Sequence, residues 1–178
     1  QPEALAATLY QAALHIDRLA DLLPAVKQIA HKHRSLAIKP EHYPVVGENL
    51  LEAIKEVLGE AATDEIIGAW AEAYGAIAEV FIAVEKEMYE EVERADGGWA
   101  DYKEFIVTDK VAESDVITSI YLKPADGKAL PEFKPGQYMT IRISIPGEEY
   151  LMNRQYSLTC SPNKEQYRIS VKKELPGN

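Results

Sequence analysis

The 178-residue chain has a single cysteine, no long apolar run and too few basic residues to balance its acids. Each shortage excludes something. One Cys160 leaves no disulfide partner and too little sulfur for a Cys-rich metal knuckle. The default compartment is then the reducing cytoplasm. With 19 Lys+Arg against 29 Asp+Glu the net charge is −10. Such a chain offers no basic face to neutralise phosphate, so nucleic acid is not an expected partner. Anionic membrane surfaces are disfavoured for the same reason. No apolar run approaches the roughly 20 residues that a spanning helix needs. There is no internal repeat and no low-complexity tract. The chain opens on Gln1 rather than Met and closes on Pro176-Gly177-Asn178 without a terminal signal, which reads as an internal stretch of something longer.

What is present falls into two textures. Residues 1–95 are rich in Ala, Leu and Glu and hold 17 acidic and 8 basic side chains. Residues 96–178 are rich in Val, Ile, Tyr and Thr with Pro/Gly turns, and hold 12 acidic and 11 basic ones. The change falls at Asp96-Gly97-Gly98-Trp99. Two classes of secondary structure in series predict two domains, over 1–95 and 103–178, joined by a linker over 96–102.

Four helices are expected in the first part, over about 2–18, 21–33, 41–58 and 62–93. The second carries Leu22, Val26, Ile29 and His33 on one stripe. The third carries Tyr43, Val46, Leu50, Ile54 and Val57, with Pro40 near its start and Gly59 at its end. The fourth carries Ile66, Trp70, Ala73, Ile77, Phe81, Val84 and Met88. Antiparallel packing is the simplest way to bury these stripes.

His33 ends an apolar stripe, where it could ligate a metal in a hydrophobic pocket. It also lies near a helix C-terminus, where a histidine favours the helix dipole, and periodicity leaves both readings open. His31 lies about 200° round the helix and should point elsewhere. His15, His31 and His42 read as surface or capping residues. Tyr43 sits in the first turn of the third helix's stripe. Glu87 lies seven residues after Val80, about 20° off it. Either could instead reach solvent. With His33 they would form a His–Tyr–Glu set, in which a carboxylate makes a ligating imidazole a stronger donor to its metal.

The second part reads as short strands over about 103–111, 116–122, 138–145, 153–159 and 166–173. Pro124-Ala125-Asp126-Gly127, Pro135-Gly136, Pro146-Gly147 and Ser161-Pro162-Asn163 mark turns. Many strands with short connections suggest an antiparallel barrel. In Asn153-Arg154-Gln155-Tyr156-Ser157-Leu158, Arg154 and Tyr156 share a face and Ser157 takes the other face or the strand end. A guanidinium suits a phosphate, an aromatic ring can stack on an isoalloxazine, and a hydroxyl can bond its reactive nitrogen. An ordinary strand with an exposed Arg and a core Tyr fits the bare pattern as well.

The run Leu22-Leu23-Pro24-Ala25-Val26-Lys27-Gln28-Ile29-Ala30-His31-Lys32-His33-Arg34-Ser35 resembles the proximal haem helix of bacterial flavohaemoglobins. Lys39-Pro40-Glu41-His42-Tyr43-Pro44-Val45-Val46-Gly47-Glu48-Asn49-Leu50-Leu51 resembles their next helix. Ala69-Trp70-Ala71-Glu72-Ala73-Tyr74-Gly75 and Glu85-Lys86-Glu87-Met88-Tyr89 resemble their last globin helix. Lys134-Pro135-Gly136-Gln137-Tyr138, then Arg154-Gln155-Tyr156-Ser157, then Tyr167-Arg168-Ile169-Ser170-Val171-Lys172 resemble the FAD-binding barrel of the ferredoxin-reductase family. The fold implied is the later helices of a globin followed by most of such a barrel.

The resemblance implies His33 as the iron ligand of haem b, Tyr43 and Glu87 as the charge-relay pair behind it, and Lys32 as a haem neighbour. It implies Gln1 and Leu5 on the distal side, and Tyr138 with Arg154, Gln155, Tyr156 and Ser157 as FAD contacts. The intact protein it implies is a nitric oxide dioxygenase in NO detoxification. Electrons pass from NAD(P)H through FAD to haem, O2 and nitric oxide are the substrates, lipid can touch the haem pocket, and the state is monomeric. The phosphate clamp and nicotinamide-binding domain that follow in that family have no counterpart in these residues. The other reading is an oxygen-binding or oxygen-sensing globin with an attached flavin or docking domain, which would have no need of the Arg154–Ser157 run.

Overall fold

The computed structural model describes residues 2–174, apart from the side chains of residues 2–6 and of Leu19. Gln1 and the side chain of Leu5, both expected on the distal side, lie outside the described residues. The chain divides into two units, Gln1–Met88 and Tyr89–Asn178. The division falls inside the last helix, upstream of the expected linker.

The first unit is helical. α1 is Pro2–Leu14, α2 is Leu23–Ser35, α3 is His42–Leu58, and α4 is Asp64–Arg94. α1 is shorter than expected. After Leu14 the chain tightens into a 3-10 segment, Ile16–Leu22, in which Arg18 leaves helical geometry at φ −140, ψ 44. α2 restarts beyond it with Pro24 in its first turn, where the missing N–H has no helical partner to lose. α3 ends at Gly59, whose φ of +54 suits a residue without a Cβ. Thr63 starts α4 by accepting the Ile66 N–H on its hydroxyl at 3.3 Å.

The core of this unit is Leu9 and Ala12 from α1, Val26 and Ala30 from α2, and Ile77, Phe81 and Val84 from α4. The expected α3 stripe is turned outward at its far end. Val57 is 84% exposed, and the one buried α3 residue is Gly47. The reason is close approach. A Cβ on Gly47 would lie 2.7 Å from Cε1 of Tyr74, so α3 meets α4 through a glycine and an aromatic ring rather than through valines. α4 is, by length and composition, apolar enough to cross a membrane, against the expectation from its interrupted apolar runs. A core helix of a soluble protein passes the same test, and α4 buries Ile77, Ala78, Phe81, Val84 and a carboxylate, Glu85.

The second unit holds five strands, β1 Phe105–Ala112, β2 Ile117–Pro124, β3 Tyr138–Ile143, β4 Met152–Ser157 and β5 Tyr167–Lys172. All pairings are antiparallel. One sheet has the order β1-β2-β5, the other is the ribbon β3-β4, and a bridge from Leu158 to Ile169 links them. The expected strands are all present within a few residues, and the sheets do not close into a full barrel among the described residues. The core is Leu130, Phe133 and Tyr167, flanked by Trp99, Phe105, Met139, Leu158 and Cys160. The stretch after α4 belongs to this unit. Gly97, at φ +74, abuts the Ala129 carbonyl, and Trp99 packs edge-on to Phe105 with ring centroids 5.8 Å apart.

Candidate functional site

The helical unit gathers three side chains from three helices. His33 leaves the last turn of α2, Tyr43 the first turn of α3, and Glu85 the later half of α4. His33 Nδ1 lies 2.7 Å from Oε1 of Glu85, and the Tyr43 hydroxyl donates to the same oxygen at 2.7 Å. Nδ1 and the Tyr43 hydroxyl are 3.2 Å apart, closing the triangle. Glu85 is 2% exposed, so its oxygen is shielded from water and matched by protein donors. A carboxylate that only accepts takes its 2.7 Å contact from an Nδ1–H donor, and in a neutral imidazole that tautomer keeps its lone pair on Nε2. Nε2 makes no hydrogen bond to a described residue.

The carboxylate is not the expected one. Glu87 is exposed, and Glu85 takes the place read for it. Glu87 aligns with Val80, which only borders the core. The stripe that is buried runs through Ala78 and Phe81. Glu85 lies seven residues after Ala78, about 20° off it, and one turn after Phe81. Glu87, two residues on, is rotated about 200° away and faces solvent.

Aromatic rings hold the set in place. Phe81, 6% exposed, tilts at 35° against both His33 and Tyr43, with centroids 5.6 and 6.5 Å away. Tyr74 donates its hydroxyl to the Tyr43 carbonyl at 2.7 Å, and burial raises its pKa. In the sequence Tyr74 stands out only as part of a motif. Its signal was the buried face of α4 opposite Gly47.

Beside this set lies a cavity of about 290 Å³ among α1, α2 and α4, lined by Ala12, Val26, Ile29, Ile77 and Phe81 with a few neighbours. It is apolar, and Phe81 is shared between its wall and the imidazole. His33 stands one turn beyond Ile29. Lys32 and His31 are exposed, and His42, the first residue of α3, accepts the N–H of Lys39, three residues before it, on Nδ1 at 3.0 Å. No group of three or more His, Cys, Asp or Glu among the described residues could hold a bare metal ion.

The second cluster of expected residues lies on the β3–β4 ribbon. Tyr138 pairs with Ser157, Thr140 with Gln155, and Ile141 with Arg154. Opposed residues share a face, so Tyr138, Gln155 and Ser157 lie together on one side, and Arg154 with Tyr156 on the other. The second side is the apolar one. Met139, on it, packs against Leu130, Phe133 and Tyr167. Arg154 is exposed there, and its only described bond is Nη1 to the Asn153 carbonyl at 2.9 Å. No carboxylate among the described residues pairs with it.

A family model described as Globin matches residues 1–81. A flavohemoprotein of Halalkalibacterium halodurans is 60% identical over 98% of this chain, and one of Bacillus subtilis 57% over 98%. The chain spans 42% and 44% of those two proteins. Among solved structures, flavohemoglobin from Malassezia yamatoensis with bound FAD and heme matches the whole chain at 28% identity with a TM-score of 0.80, the chain spanning 45% of it.

Proposed function

We propose, from the premise that this chain belongs to the flavohaemoglobin family, that its helical unit holds haem and its β unit FAD, as parts of an oxidoreductase. The finer reading is a nitric oxide dioxygenase that consumes O2 and nitric oxide, forms nitrate, and draws electrons from NAD(P)H. One observation carries the haem half. A buried Glu85 bonds both His33 Nδ1 and the Tyr43 hydroxyl, which fixes the imidazole with its Nε2 lone pair available. The apolar cavity beside Phe81 suits the faces of a macrocycle.

When bound, the haem iron supplies oxygen binding and one-electron chemistry, and FAD supplies the step from hydride to single electrons. The rest belongs to this chain's own side chains. His33 would ligate the iron. Glu85 holds the Nδ1 proton and raises the basicity of the ligating nitrogen. Tyr43 shares the Glu85 oxygen and fixes its position, and Phe81 sets the plane of the imidazole. Lys32 is proposed as a haem neighbour only through the family motif. In the β unit, Tyr138, Gln155 and Ser157 would meet the flavin on the polar face, with Arg154 and Tyr156 reaching it from the ribbon's other side.

The test is haem titration of this chain, followed by its Soret absorbance and a redox titration. His33→Ala should lose the ligated spectrum, while His31→Ala keeps it. Glu85→Gln should raise the reduction potential, because a weaker donor stabilises ferric iron less. Glu87→Gln should leave it where it was. Loss of the ligated spectrum in the His31 variant rather than the His33 variant would refute the assignment.

A further inference from the structure

β4 leaves its ribbon at Ser157 and within two residues reaches the other sheet. Leu158 donates its N–H to the carbonyl of Gln137, the residue before β3, at 3.0 Å, and bridges Ile169 of β5. Thr159 is then tied to β5. Its N–H donates to the Arg168 carbonyl at 2.8 Å, and its hydroxyl donates to the same oxygen at 3.2 Å. The Arg168 side chain returns the contact. Its Nε donates to Thr159 Oγ1 at 3.2 Å, and its Nη2 donates to the Thr159 carbonyl. One arginine thus grips one threonine with main chain and side chain together.

Arg168 is itself braced. It stands opposite Tyr121 on β2, with its guanidinium carbon 5.9 Å from the centre of that ring. Ser170 lies on the same face of β5, with its hydroxyl 3.2 Å from Thr159 Oγ1 and 3.2 Å from the hydroxyl of the buried Ser119. The other face of β5 carries Tyr167 and Ile169, both buried. Two charge-assisted bonds from one planar fork fix angle as well as distance, which a single ammonium could not do.

Ser157 precedes Thr159 by two residues and pairs with Tyr138. It is exposed and ends its strand. A two-stranded ribbon is marginal by itself, so its end needs support from outside. The pairing with β3 supplies one side of that support, and the grip of Arg168 supplies the other.

We propose that Arg168 is a positioning residue of the β unit, whose grip on Thr159 fixes Ser157 where its hydroxyl meets the flavin ring. This rests on the reading of Ser157 as a flavin contact. A hydroxyl that bonds one ring atom must be held within about 0.5 Å of the bonding geometry. Arg168 touches no reacting atom and acts through the main chain of Thr159.

Two measurements test this. In the chain without flavin, Arg168→Ala should quicken amide hydrogen exchange at Leu158 and Thr159 by about tenfold, while the amides of β1 stay as protected as in the parent and report an intact fold. In FAD titrations followed by flavin fluorescence, Ser157→Ala and Arg168→Ala should each weaken binding by about tenfold, the loss of one hydrogen bond. The double variant should be no weaker than either single one, because both act on one contact. Arg168→Lys keeps the charge but loses the fork, and should fall between the parent and Arg168→Ala in both measurements. Unchanged exchange in Arg168→Ala overturns the proposal. So does FAD affinity that falls in Ser157→Ala and holds in Arg168→Ala, and so do losses that add in the double variant, since the arginine would then act elsewhere. If exchange quickens while Ser157→Ala leaves FAD binding unaltered, the grip stands and the reading of Ser157 as a flavin contact fails.

Discussion

The helical unit and the β unit assemble their chemistry in opposite ways. The helical unit buries one carboxylate and surrounds it with donors from other helices, so its site is part of the core. The β unit keeps its polar residues on the open face of a two-stranded ribbon, and its core of Leu130, Phe133 and Tyr167 lies apart from them. A site inside the core couples chemistry to stability, and a change that spoils one spoils the other. A site on an exposed strand face can be altered with the fold left intact.

That contrast can be broken most readily at Glu85. Glu85→Ala should cost the helical unit about 3 kcal/mol in chemical denaturation, because two donors lose a charged acceptor. Glu87→Ala should stay within about 0.5 kcal/mol of the parent. Equal effects would mean that Glu85 is not the structural carboxylate. The next effect in size belongs to Gly47→Ala. The added Cβ meets the Tyr74 ring at 2.7 Å, so the ring must move and its bond to the Tyr43 carbonyl lengthens. A loss of about 1–3 kcal/mol is expected, measured with the near-ultraviolet signal of the tyrosines.

In the β unit the corresponding core residue is Tyr167, which donates to the Pro131 carbonyl at 2.7 Å. Tyr167→Phe should cost about 1 kcal/mol. Burial, with a contribution from Cys160, pushes this phenol from 10.0 up to about 12. The unfolded chain ionises first, so the stability due to this group is complete below pH 10 and is lost as pH rises toward 12. The phenylalanine variant should lack that alkaline limb. The smallest effect belongs to Asp96. Its exposed ion pair with Lys164, 2.8 Å long, holds the carboxyl below the usual range, yet water screens it. Asp96→Asn should leave the melting temperature unchanged.

How well each part could be read in advance follows the repeat of its backbone. A strand alternates with period two, so the side of Arg154 and Tyr156 was legible once the strand was found. On a helix the repeat is 3.6, and a stripe is wide enough that several residues compete for its centre. His33 and Tyr43 were legible because each stands at an end of an apolar stripe, His33 in the last turn of α2 and Tyr43 in the first turn of α3. Glu85 was not, because α4 runs for 31 residues and the centre of its stripe depends on which neighbours cover it. The outward turn of Val57 on α3 escaped for the same reason, since nothing local announces that Gly47 is the residue of closest approach.

At the end of α4 the chain folds back so tightly that a Cβ on Gly98 would land on the carbonyl oxygen of Val92. Every single-base change of a glycine codon that alters the residue brings in one that carries that carbon, or a stop. Codon 98 therefore has no permissive missense neighbour. In a population of drifting copies this turn would stand as a fixed letter while the exposed residues around it vary, a constraint imposed by backbone geometry with no chemistry at the site.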